Sequence, residues 1–179
     1  MVEKTERLVF GNSLANKPAG CSASKMEYIE NRQDSKWDKL NSIPEWRKCL
    51  SSLHSHNILE IDGLKYKTPE HYFQYKKFYI ANPDFARRFC VGGEFGDSDG
   101  KMIRKLRKKI MLTAEQWKEW EMIENECKDI ARKAKFCPGN LCYDTLMATG
   151  SVELWSYAPR CGTFRMYKME EYRNHLNTK

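Results

Sequence analysis

The chain has 179 residues, a formal net charge of +7, and five Trp, nine Tyr and eight Phe, a composition that supplies a packed core and argues against disorder. It contains no apolar run of roughly 18 residues, so a membrane span is not expected. The opening Met-Val-Glu-Lys-Thr-Glu-Arg carries charges where a secretory leader needs an apolar stretch. With seven cysteines read as thiols in a reducing compartment, the expected location is intracellular, cytoplasmic with the nucleus left open.

Residues 1–45 read as a polar, partly flexible N-terminal arm, with Leu8, Val9 and Phe10 as one short strand and Trp37 and Leu40 anchoring a turn of helix. A domain is expected over 46–179. Within it, Ile58, Leu59 and Ile61 precede Asp62-Gly63, and Leu64 and Tyr66 follow. That pattern predicts a two-residue hairpin, because both central residues of the turn need positive φ. Thr68 then reads as an N-cap and Pro69 as the first residue of a helix running to about Ala81. Glu70 falls in its first turn, near the positive end of the helix dipole. Asn82-Pro83 starts a short helix through Phe89. Val91 to Gly100 holds Gly92, Gly93, Gly96 and Gly100, spaced like neither dinucleotide nor P-loop motifs, and reads as a flexible connector.

Lys101, Arg104, Lys105, Arg107, Lys108 and Lys109 follow as a dense basic cluster. Met102, Ile103, Leu106, Ile110 and Met111 give the same helix an apolar side, to Met111. The cluster suits phosphates of a dinucleotide or nucleic acid, or is simply a solvated face. It lacks the interleaved aromatics of a single-strand platform. Thr113 to Gln116 forms a capping box that opens a long helix to Lys135, with Trp117, Trp120, Ile123, Cys127, Ile130, Ala131 and Ala134 on one side. Cys137-Pro138-Gly139 ends it, a helix from Asn140 to Thr149 stops at Gly150, and strands at Val152–Trp155 and Phe164–Tyr167 lead to a closing helix. The fold class is α+β: one predominantly helical domain with a small hairpin or sheet. His54-Ser55-His56 and the Cys137/Cys142 pair do not make a four-ligand set at zinc-site spacing, so no metal and no cofactor are expected.

Four blocks in order carry a resemblance. They are Thr68-x-Glu70-His71-Tyr72-Phe73-Gln74 with Lys77-Phe78; Trp120 ahead of Ala134-Lys135-Phe136; Leu141 to Leu146-Met147-Ala148-Thr149-Gly150; and Met169-Glu170-Glu171-Tyr172-Arg173. Together, from about Cys49 to Leu176, they resemble the NADAR family (NAD- and ADP-ribose-associated, YbiA-like). The resemblance implies that family's fold and an N-glycosidase, a hydrolase acting on an ADP-ribosylated or ribosyl-phosphate N-glycoside. The partner it implies is an ADP-ribose or ribosyl-phosphate small molecule or an ADP-ribosylated nucleic acid, with no membrane.

Cleaving such a bond passes through an oxocarbenium-like state, so a carboxylate is needed to stabilise charge or activate water, and Glu70 stands at the family's position for it. Expected ligand contacts are His71, Gln74, Lys77, Arg104, Lys108, Lys135, Thr149 and Gly150. Of these, Gln74 lies four residues beyond Glu70 and shares its face, placed to orient a ribose hydroxyl. The chain departs from the family at three points. Leu50-Ser51-Ser52-Leu53 lacks the usual amide, Leu154 is followed by Trp155 and Ser156 instead of x-Glu, and Arg160-Cys161-Gly162 has no Trp before the glycine. Those departures favour the alternative, a non-catalytic ADP-ribose or NAD-related nucleotide-binding module.

Overall fold

The computed structural model describes residues 5–15, 17–22, 24–107, 109, 111–159 and 161–178. Its elements, in chain order, are strand β1 (Arg7–Phe10), helices α1 (Asp38–Ser42) and α2 (Trp46–Cys49), and the hairpin β2 (Leu59–Ile61) and β3 (Leu64–Tyr66). Helices α3 (Pro69–Tyr79), α4 (Pro83–Ala86), α5 (Gly100–Leu106), α6 (Ala114–Lys135) and α7 (Leu141–Ala148) follow. Strands β4 (Glu153–Ala158) and β5 (Gly162–Arg165) and helix α8 (Tyr167–Asn177) complete the chain. About 48% of the chain is helical and the sheets are small, which makes the class α+β. No described helix is long and apolar enough to cross a membrane.

Contacts group the chain into two units: Met1–Ser51 with Pro138–Lys179, and Ser52–Cys137. The boundaries therefore fall near residues 51 and 137, where the sequence alone suggests one at 45. The physical reason is strand pairing. β1 lies parallel to β4, Arg7 against Glu153 through Phe10 against Ser156, and β5 pairs antiparallel with β4 on its other side. Leu8 and Val9 have no exposed surface, and Trp37 and Leu40 are buried, so the polar N-terminal stretch contributes core to this unit.

The same unit is braced by buried charge. Arg47, wholly buried, donates to Glu27 at 2.7 Å and to the backbone carbonyls of Val9, Lys17 and Pro18. Glu27 also accepts from the amides of Val9 and Ser22. The buried guanidinium and the Glu27 carboxylate, 2% exposed, would otherwise sit unpaired in a low-dielectric interior.

The Ser52–Cys137 unit is built around α3. The Asp62-Gly63 turn has φ of +53° and +73°, as the hairpin requires, and sets Leu59 against Tyr66 and Ile61 against Leu64. Tyr66, Tyr72, Phe78, Phe89, Ile103 and Trp120 form a core with the buried sides of β2, α5 and α6. Asn82 caps α4 by accepting from the Phe85 amide, and Thr113 and Gln116 make the reciprocal capping box of α6. The basic helix is shorter than its charge pattern predicts: α5 ends at Leu106, and Lys108 and Ile110 lie outside the described residues.

Residues 91–100, expected as a flexible connector, are tightly folded back. Phe95 N–H donates to Arg88 O, Val91 N–H to Lys65 O, and Ser98 N–H to Phe95 O. A Cβ on Gly96 would run into the carbonyl oxygen of Cys90, so this close backbone approach is what needs glycine there.

Candidate functional site

Helix α3 starts as its sequence predicts, with Thr68 extended and Pro69 in the first turn, but Thr68 makes no side-chain cap. Its hydroxyl is instead 2.9 Å from His71 Nδ1. His71 Nε2 is 3.2 Å from the carbonyl oxygen of Phe95, and a carbonyl can only accept. Nε2 therefore carries the proton, and Nδ1 accepts from Thr68. His71 has no exposed surface, and burial drives its pKa down from 6.5 to about 4, with nearby Lys67 adding to the effect against the pull of the Phe95 carbonyl. The ring is neutral at ordinary pH. The structure thus uses His71, an expected ligand contact, to tie the start of α3 to the glycine-rich loop.

Glu70 lies on the other side of that turn. Its amide donates to Ser52 O at 3.1 Å, and the residue is 7% exposed. Gln74, one turn later, donates from Nε2 to Glu70 Oε1 at 2.9 Å. Arg104, from α5, donates to Glu70 Oε2 from Nη2 at 3.0 Å and from Nε at 3.3 Å. The same Nη2 reaches Ser52 Oγ at 3.2 Å. Three residues expected to share a site, Glu70, Gln74 and Arg104, are therefore in direct contact. Ser52, noted in the sequence only for what it replaces, brackets two of them: its carbonyl holds the Glu70 amide and its hydroxyl holds Arg104.

Two further features bear on ligand chemistry. Gln74 is 4% exposed, and its Oε1 has no hydrogen-bond partner among the described residues. A buried acceptor without a donor is uncommon and needs an explanation. Arg104, by contrast, keeps 41% of its side chain exposed while its partner is buried. Lys101 and Lys105 on the same short helix, and Arg107 just after it, are exposed as well.

The remaining expected contacts are placed elsewhere. Lys77 sits at the far end of α3, with Nζ 4.2 Å from the Trp117 ring centroid and its pKa lowered by burial and by Arg107. Lys135 is buried and donates to His54 O at 2.6 Å. Thr149 and Gly150 belong to the other unit. Thr149 Oγ1 donates to Leu146 O and accepts from Arg173 Nη1 at 2.8 Å, while Gly150, at φ +61°, ends α7. Both do structural work where the structure places them. In that unit a cavity of about 260 Å³ is bordered by Lys17, Asn41, Glu45 and Trp46, none of them an expected site residue.

Chemically, the cluster pairs a recessed carboxylate with a half-exposed guanidinium, and a side-chain amide fixes the carboxylate from below. Such a set can bind an anion at Arg104, accept hydrogen bonds from a hydroxylated ligand, and present a fixed negative charge. No protein-family model, no curated protein and no solved structure matches the chain.

Proposed function

We propose that Glu70, Gln74 and Arg104 form the centre of a NADAR-type N-glycosidase acting on an ADP-ribosylated or ribosyl-phosphate N-glycoside. One observation carries the reading: Glu70, at a helix start and 7% exposed, is held by Gln74 and Arg104 together. In the reaction the C1–N bond breaks and its electron pair leaves with the base. Glu70 stabilises the positive charge developing on the ribose and takes the proton of the water that makes the new C1–O bond. Gln74 orients a ribose hydroxyl and Arg104 takes a phosphate oxygen. The exposed Lys101, Lys105 and Arg107 suit a substrate whose ADP-ribose is carried on nucleic acid.

A second reading, a non-catalytic ADP-ribose or nucleotide-binding module, has its own support. Both Glu70 oxygens are already engaged, and an ion pair of that kind is also an ordinary structural feature. Incubation with ADP-ribosylated and ribosyl-phosphate N-glycosides separates the two by release of free base. For a glycosidase, Glu70→Gln lowers turnover on the order of 100- to 10,000-fold without weakening binding. Equal turnover in both proteins removes Glu70 from the chemistry. Binding without release in either one favours the module.

A further inference from the structure

We infer that Arg104 is a latch over Glu70, opened when a phosphoryl group of the ligand takes the guanidinium away from the carboxylate. The inference rests on Glu70 and Arg104 being the ligand site, but not on the chain being an enzyme.

The geometry of the pair is lopsided. Arg104 spends Nε and Nη2 on a single Glu70 oxygen, at 3.3 and 3.0 Å, so it does not make the two-pronged fork of which guanidinium and carboxylate are capable. Its side chain is 41% exposed, so solvent and an arriving anion can reach the guanidinium, whereas the Glu70 side chain is only 8% exposed and relies on Gln74 and the helix start once the pair opens. A phosphoryl group offers more acceptor oxygens and more charge than one carboxylate oxygen, and in the open it can be met by both prongs. The exposed Lys101 and Lys105 on the same helix, with Arg107 just beyond its end, tilt the exchange further toward an anion.

Glu70 is not abandoned when Arg104 moves. It keeps the Gln74 hydrogen bond and its place at the start of α3, an 11-residue helix whose dipole favours negative charge there. Its Oε2 is then bare and able to act. Closed, the site is also incomplete in a second respect, because Gln74 Oε1 is buried without a donor among the described residues. A sugar hydroxyl arriving with the phosphoryl group supplies that donor. The latch thus keeps the carboxylate covered until a ligand bearing both a phosphoryl group and hydroxyls is present.

Inorganic pyrophosphate is the probe, followed by the side-chain Nε–H resonance of Arg104 in nitrogen-15-labelled full-length protein. Saturating pyrophosphate is expected to shift that resonance as the acceptor changes from the Glu70 carboxylate to a phosphoryl oxygen. Ser52→Ala, which changes no charge but removes one tether of the closed position, should tighten pyrophosphate by roughly two- to tenfold. Arg104→Ala should weaken it by at least tenfold. An Arg104 resonance unmoved at saturation overturns the latch, since the anion then sits on a closed pair. So does weaker binding in Ser52→Ala, or no binding at millimolar pyrophosphate. None of these readouts involves turnover: base release with an unmoved Arg104 sinks the latch alone, and an opening latch without base release sinks the glycosidase alone.

Discussion

His71 Nε2 lies 3.2 Å from the carbonyl oxygen of Phe95, joining the first turn of α3 to the glycine-rich loop 24 residues downstream. The opposite ring nitrogen is taken by Thr68, so the imidazole is a fixed neutral strut with no capacity left for a ligand. It forms one side of the helix turn that presents Glu70 on the other.

That strut makes stability depend on pH. The pKa of His71 is lowered to about 4 in the folded protein, chiefly by burial, against 6.5 when unfolded. Between those values the unfolded chain binds more protons than the folded one. Stability is therefore whole above about pH 6.5 and declines as pH falls toward 4, by on the order of 3 kcal/mol. Urea midpoints measured from pH 7 to pH 4 check this. In His71→Gln the slope over that window should largely vanish, and an unchanged slope would assign it to other groups.

Gly96→Ala tests whether the loop is folded back or loose. The added methyl meets the carbonyl oxygen of Cys90, and we expect a loss of about 1–3 kcal/mol in chemical denaturation. A connector without tertiary contacts would show a change near zero.

Arg47→Met addresses the polar N-terminal stretch. Removing the guanidinium leaves Glu27 charged and unpaired, with 2% of its side chain exposed, and strips three carbonyls of their donor. The expected cost is about 3–5 kcal/mol. Limited proteolysis should show residues 17–27 becoming cleavable in the variant while the native chain resists.

Gln74→Leu separates binding from stability. The substitution removes a donor to Glu70, but it also removes an acceptor that is buried without a partner among the described residues. These effects offset, so stability should move by less than about 1 kcal/mol. ADP-ribose affinity, measured by calorimetry, should fall roughly tenfold if the amide meets a ribose hydroxyl. Unchanged affinity would leave Gln74 with only the positioning of Glu70.

Local chemistry was readable from the chain. Asp62-Gly63, Thr68-Pro69, Asn82-Pro83 and the Thr113/Gln116 box each act through residues a few positions apart, and each makes the turn or helix start that its spacing predicts. The i, i+4 spacing likewise put Gln74 beside Glu70. Charge density showed that α5 is basic, but it could not single out Arg104 as the partner of Glu70, 34 residues away. Nor could it give Ser52 a role, because a serine in a loop carries no signal of what its hydroxyl will meet. His71 looked like a site residue from its place beside Glu70. Which side of the helix turn is buried, and against which carbonyl, is decided by packing. The pairing of β1 with β4, more than 140 residues apart, is of the same kind. Short-range hydrogen bonding and backbone sterics are written into neighbouring residues, whereas burial and long-range pairing depend on which surfaces meet once the chain has closed on itself.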